Sequence, residues 1–121
     1  MAARQRQTYG EEVANVLTHG AGMLFGMTAI IILMMAAIRS GNPWAIGSFA
    51  VYAVCMTLSY VTSTFYHAST HARQKRLLRR FDHGAIYLHI AGTYTPFTLL
   101  ALRQEGYWGW SLFAVIWIVA V

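Results

Sequence analysis

The chain alternates between long apolar runs and short polar breaks. No Asp, Glu, Lys or Arg occurs in residues 14–38, 41–71 or 84–102, and a fourth uncharged run covers residues 106–121. A transmembrane helix needs about 20 mostly apolar residues to cross roughly 30 Å of hydrocarbon. The pattern therefore predicts an all-α, polytopic membrane helix bundle. We expect three complete spans, near 14–38, 43–67 and 83–102, and an incomplete fourth, 107–121.

The fourth run is too short to cross a bilayer, and no polar residue closes it. We therefore expect the 121 residues to form a single transmembrane domain that is the N-terminal part of a larger one. Residues 1–13 are predicted to be a tail outside the membrane.

Composition supports a membrane protein. Hydrophobic residues make up 57% of the chain and charged residues 11%, whereas a soluble domain carries about 25% charged residues. This deficit excludes a water-soluble globule and a disordered tail. The single cysteine, Cys55, excludes an intramolecular disulfide and a cysteine-based zinc cluster.

The positive charges are distributed unevenly between the predicted sides of the membrane. The tail holds Arg4 and Arg6 and the loop at 73–80 holds five Lys or Arg, whereas the opposite side has only Arg39 and Arg103. The positive-inside rule then predicts a multi-pass protein of the cell's inner membrane with a cytoplasmic N-terminus. We expect the basic loop to attract anionic lipid headgroups, and we expect no nucleic-acid partner. Four aromatic residues lie at the predicted outer ends: Trp44, Tyr107, Trp108 and Trp110.

Polar residues collect near the predicted cytoplasmic ends of the spans. A four-residue spacing places one stripe along the second helix: Ser59, Ser63, His67 and His71. The third span begins on that side at Asp82. The first begins there with Glu11, Glu12, Asn15 and His19, of which the last two are again four residues apart. We therefore expect four side chains to share one layer: His19, Ser63, His67 and Asp82.

Ionisable residues at membrane depth are costly and usually functional. A neutral imidazole is a common zinc ligand, and a nearby carboxylate can orient it. The residue types leave two interpretations open. His67 and Asp82 could belong to a metal site, or Asp82 could pair with Arg79 or Arg80 while His67 bonds to a backbone carbonyl.

Four segments closely resemble bacterial hemolysin III proteins, the bacterial branch of the progestin and adipoQ receptor (PAQR) family, which is related more distantly to alkaline ceramidases. They are residues 63–67 (STFYH), 81–87 (FDHGAIY), 90–96 (IAGTYTP) and 11–20 (EEVANVLTHG). The resemblance implies a seven-helix membrane fold with a cytoplasmic N-terminus.

The resemblance also implies a zinc site. In that family the histidine corresponding to His67 binds zinc, the aspartate corresponding to Asp82 holds the water on the zinc, and Ser63 lies beside it. Two further zinc histidines come from an H-x3-H motif in the last helix, which this chain does not contain. His67 and His71 have that spacing, but they belong to the wrong helix. The resemblance therefore implies a zinc half-site.

Three functions remain open. One is a zinc-dependent intramembrane hydrolase of lipid amide or ester bonds, with Asp82 as general base and Ser63 as a hydrogen-bond donor. Another is a pore-forming cytolysin or channel, which the family name suggests although the spans lack a long polar stripe. The third is a receptor-like membrane-homeostasis protein in which zinc is structural. The substrate and the oligomeric state do not follow from the sequence.

Overall fold

The computed structural model describes residues 8–121, so the predictions for Arg4 and Arg6 lie outside the described residues. This part of the chain is helical and contains no strand. The helices are α1 (Tyr9–Ser40), α2 (Pro43–Ala68), α3 (Ala72–Pro96), which continues as a π-helical segment (Phe97–Leu102), and α4 (Trp108–Ala120). Three helices are long and apolar enough to cross a membrane, and α4 is shorter. The predicted all-α membrane architecture is confirmed.

The first helix starts earlier than the apolar run. Thr8 caps it: its hydroxyl accepts from the backbone N–H of Glu11 at 3.3 Å, and the Glu11 carboxylate accepts from the Thr8 N–H at 2.6 Å. This reciprocal pair is a capping box, which satisfies two backbone donors that the helix itself leaves unpaired. Residues 9–13, predicted as part of a tail, are therefore helical and carry Glu12 into the bundle.

The turn between α1 and α2 uses local chemistry. Gly41 adopts a left-handed conformation with φ 64° and donates its N–H to the carbonyl of Ile38 at 3.1 Å. A side chain would be strained there, so glycine suits the end of the helix. The Asn42 side chain then accepts from the N–H of Trp44 at 3.0 Å, and Pro43 occupies the first position of α2.

Helix α2 packs between α1 and α3. Gly22 of α1 faces Tyr60, since a Cβ atom at Gly22 would lie 2.8 Å from the Tyr60 Cε1, and Gly26 faces Met56 one turn further along. Small residues at a helix contact let two backbones approach, which is the main way in which helices associate in lipid.

The outer surface of the bundle is apolar. Leu24 and Phe25 of α1 are 68% and 79% exposed, and Ile118 of α4 is 77% exposed. Exposed apolar surface of this extent marks a membrane or protein contact. The helices therefore turn their apolar faces outward, as a lipid environment requires.

The basic segment 73–80 was predicted to be a loop, and this prediction is wrong. The segment forms the beginning of α3. Arg, Lys, Gln and Leu favour helix, so α3 begins well before the uncharged run at residue 84. The start of that run marks only where the charged residues end. His71 precedes Ala72 as the N-cap residue of α3 and does not continue the stripe of α2, which ends at Ala68.

The four aromatic residues lie together at the opposite end of the bundle, with Trp44 at the start of α2 and Tyr107, Trp108 and Trp110 at the start of α4. The rings of Trp44 and Trp110 lie 5.8 Å apart, and the guanidinium of Arg103 lies 4.2 Å from the centre of the Trp44 ring. This cation–π contact joins the start of α2 to the chain that follows the π-helical segment.

Candidate functional site at one end of the bundle

Six polar side chains meet where α1 begins, α2 ends and α3 begins. We call them the polar cluster: Glu12, Asn15 and His19 of α1, Ser63 and His67 of α2, and Lys75 of α3. Residues spaced by three, four or seven share one face of a helix. The three α1 residues therefore face α2 together, and the two α2 residues face α1.

Glu12 joins all three helices. One carboxylate oxygen, Oε2, lies 2.8 Å from Nδ1 of His67, and the other, Oε1, contacts the ammonium of Lys75. The side chains of Glu12 and His67 are only 18% and 9% exposed. Partial burial makes such contacts stronger than exposed ion pairs, because water screens them less.

The contact with Glu12 favours one tautomer of a neutral His67 ring. An ionised carboxylate only accepts hydrogen bonds, so Nδ1 donates to it and Nε2 of the neutral ring keeps its lone pair. The amide nitrogen Nδ2 of Asn15 lies 3.4 Å from the same Nδ1. An Nδ1 that donates to Glu12 cannot also accept from this N–H donor, and the contact with Glu12 is the shorter of the two. Within residues 8–121 no hydrogen bond reaches Nε2 of His67.

Ser63 lies one turn before His67 and is buried, with 4% of its surface exposed. Its Oγ lies 2.7 Å from Nδ1 of His19, so these two side chains share a hydrogen bond between α1 and α2. The His19 ring is also close to the His67 ring, with centroids 5.6 Å apart. The structure thus brings together three of the four side chains that the sequence places in one layer: His19, Ser63 and His67.

Asp82 does not contact the other three. In the described part of the chain no hydrogen bond joins Asp82 to Ser63 or His67, and its ionisable neighbour is His83, with Nδ1 3.7 Å from Oδ2. No ion pair with Arg79 or Arg80 is formed among residues 8–121.

The register of α3 nevertheless turns Asp82 towards α2. Lys75, Asp82 and His89 are seven residues apart and therefore share a face. The Lys75 ammonium lies 5.3 Å from the centre of the Tyr66 ring, and the His89 ring lies 6.0 Å from that of Tyr60. Asp82 is midway between these two contacts and is 14% exposed, so it lies near the level of the polar cluster.

A metal ion needs more ligands than this part of the chain gathers. Among residues 8–121 no group of three His, Cys, Asp or Glu side chains is arranged to hold one. His67 itself fits the role of one zinc ligand, because a metal-bound histidine usually gives its other ring N–H to a carboxylate or carbonyl. Its Nδ1 meets that condition through Glu12.

Three members of the polar cluster were not predicted as site residues, namely Glu12, Asn15 and Lys75. A signal for Glu12 was present, because Glu12, Asn15 and His19 have the spacing of one helix face. The sequence indicated Lys75 only as one of the basic residues of a predicted loop. Its contact with Glu12 depends on how α1 and α3 are arranged on either side of α2.

Comparison with known proteins identifies the family. The model for the family described as "Haemolysin-III related" matches residues 7–121. The chain belongs to this family. It is similar to Hemolysin-3 of Bacillus cereus, with 46% identity over 118 residues, and to a Hemolysin-3 homolog of Bacillus subtilis (strain 168), with 43% identity over 114 residues.

These alignments cover 98% and 94% of the chain but 53% of each relative, so the chain spans about half the length of the curated relatives it matches. No solved structure matches it. The resemblance to hemolysin III proteins is confirmed, and the chain is a membrane protein of the haemolysin-III related family.

Proposed function

We propose that this haemolysin-III related chain contributes one half of a zinc site in an intramembrane hydrolase that acts on amide or ester bonds of lipids. The observation that carries the proposal is the environment of His67. Its ring is nearly buried among three helices, a carboxylate engages Nδ1, and no hydrogen bond within residues 8–121 uses Nε2.

Each polar residue then has a separate task. Zinc, when bound, supplies a Lewis acid that makes water a nucleophile at neutral pH. His67 would hold the metal through Nε2, and Asp82 would accept a proton as general base. Ser63 donates a hydrogen bond to the developing oxyanion of the substrate, for which its hydroxyl proton is available when His19 donates to Oγ. The remaining zinc ligands are the two histidines that the family resemblance implies outside this chain.

The proposed orientation puts the polar cluster at the cytoplasmic end of the bundle in the inner membrane. The start of α3 carries exposed basic side chains, including Arg73, Arg76 and Arg80. Such a cluster next to a membrane helix favours the cytoplasmic side and attracts anionic lipid headgroups. A lipid substrate would then enter from the surrounding bilayer.

A second candidate is pore formation, which the printed name of the relatives, Hemolysin-3, favours. The polar cluster lies at one end of the bundle, and a water-filled path through the membrane would need polar side chains along its whole length.

A third candidate is a receptor-like protein of membrane homeostasis in which zinc closes the helix ends together. Its site would have no open coordination position.

Zinc analysis of the full-length protein tests the proposal. We expect zinc in the wild type and its loss in His67→Ala, together with loss of lipid hydrolysis. His71→Ala is the matched control, because His71 is exposed and caps α3 without a side-chain hydrogen bond. Full zinc content in His67→Ala would refute the metal site, and zinc without turnover on any lipid amide or ester would favour a structural role.

A further inference from the structure

We propose that Glu12 is the positioning residue of His67, holding its ring and fixing its proton on Nδ1 so that Nε2 is presented to the metal. This inference rests on the proposed zinc site. Glu12 belongs to α1, a different helix from that of His67. Its carboxylate acts on the metal site only through the imidazole of His67.

The geometry restricts Glu12 to that indirect role. Oε2 lies 2.8 Å from His67 Nδ1, and Oε1 contacts the Lys75 ammonium, so both oxygens have partners within the chain. A neutral imidazole can carry its proton on either nitrogen, and a carboxylate beside Nδ1 selects the form with the proton on Nδ1. Carboxylates that orient metal-bound histidines in this way typically strengthen metal binding about 10- to 100-fold.

Lys75 keeps the Glu12 carboxylate in place. Its ammonium approaches Oε1 and also lies 5.3 Å from the centre of the Tyr66 ring, so α3 holds the carboxylate beside α2. The contact at Oε1 restricts the rotation of the carboxylate and leaves Oε2 facing Nδ1 of His67. Lys75 therefore supports the proton position on His67 without touching the ring.

The neighbouring carboxylate provides a control within the same turn of helix. Glu11 is exposed and engages Thr8 in the capping box, whereas Glu12 turns towards α2. Glu11→Gln and Glu12→Gln remove the same charge one residue apart. Only Glu12→Gln removes the ionised acceptor from His67.

Two measurements on the full-length protein test this role. The first is the tautomer of His67, read without metal from the ring nitrogen chemical shifts of protein labelled with 15N-histidine, with His67→Gln to assign the signal. We expect a proton on Nδ1 in the wild type and in Glu11→Gln, and a shift towards Nε2 in Glu12→Gln. The second is zinc affinity by competition with a chelator, which we expect to fall about 10- to 100-fold in Glu12→Gln and hardly at all in Glu11→Gln.

Lys75→Met gives a second route, because it leaves the carboxylate in place. We expect a smaller loss of zinc affinity than in Glu12→Gln and the same direction of change in the tautomer. An unchanged tautomer and unchanged zinc affinity in Glu12→Gln, with zinc lost in His67→Ala, would overturn the role of Glu12 and leave the zinc site standing. Absence of zinc from the wild type would overturn the proposed function, and with it the metal-directed part of this inference.

Discussion

Gly92 of α3 lies directly against Cys55 of α2. A Cβ atom at Gly92 would lie 2.5 Å from the Cβ of Cys55 and 3.6 Å from the backbone Cα of Tyr52. Both Gly92 and Cys55 are buried. The two helices therefore approach closely at a position where one of them has no side chain, a common basis of helix packing in membranes.

The first prediction concerns this contact. Gly92→Ala should destabilise the packing of α2 against α3 by about 1–3 kcal/mol, the usual cost of overpacking a filled contact. Unfolding of the detergent-solubilised protein by sodium dodecyl sulfate, followed by circular dichroism, would measure it. Gly84→Ala is the matched control on the same helix, since nothing lies within 4 Å of its added Cβ. Equal stability of the two variants would contradict the assigned contact.

A second prediction concerns the link between α3 and α4. The indole N–H of Trp117 donates to the hydroxyl of Thr95 at 3.1 Å, and Thr95 is buried. Thr95→Val keeps the shape but removes the acceptor, and interhelical hydrogen bonds of this kind in membranes average about 0.6 kcal/mol. We expect a loss of that size in the free energy of unfolding. Thr93→Val, which removes a hydroxyl bonded only within its own helix, to the carbonyl of His89, should lose less.

Much of the architecture follows from the sequence because hydrocarbon imposes a simple rule. Runs of uncharged residues predict α1, α2 and the apolar part of α3 to within a few residues. The same rule misplaces the ends of the helices. It finds where the uncharged run stops at a charged residue, and the helix can extend past that residue. Residues 9–13 and 73–80 are helical because a capping box at Thr8 and good helix formers extend the helices past the apolar core.

The candidate site is predictable only in part. Four-residue spacing places Ser63 and His67 on one face, and the chain direction places His19 at the same end. The partner of each side chain depends on the rotation and sliding of one helix against another, which spacing does not determine. The contacts of His67 with Glu12 and of Ser63 with His19 therefore appear only in the structure.

A third prediction tests the proposed orientation. Gln74 is exposed in the basic first part of α3, and Tyr107 is exposed at the opposite end of the bundle. If the basic end is cytoplasmic, Tyr107→Cys should react with a membrane-impermeant thiol reagent in intact cells, and Gln74→Cys should react only after permeabilisation. The wild type controls for the native thiol, because Cys55 is buried and should not react. The reverse labelling pattern would overturn the proposed topology.

The last prediction concerns Asp82, which faces α2 near the polar cluster without a hydrogen bond to Ser63 or His67 in the described chain. If Asp82 is the general base, Asp82→Asn in the full-length protein should keep zinc, because the amide preserves its size, and should lower lipid hydrolysis about 10²-fold or more. Its pairing with His83 offers a control, since His83 is 62% exposed and such exposed pairs contribute at most about 1 kcal/mol.

His83→Ala should therefore retain most of the turnover that Asp82→Asn loses. A pore would behave differently, since dye release from liposomes should be unchanged by Asp82→Asn and by His67→Ala alike. Equal losses of turnover in His83→Ala and Asp82→Asn would indicate that Asp82 acts by positioning His83 and not as the general base. Full turnover in Asp82→Asn, measured on the same lipid, would refute its role as general base, because an amide cannot take up the proton that hydrolysis releases.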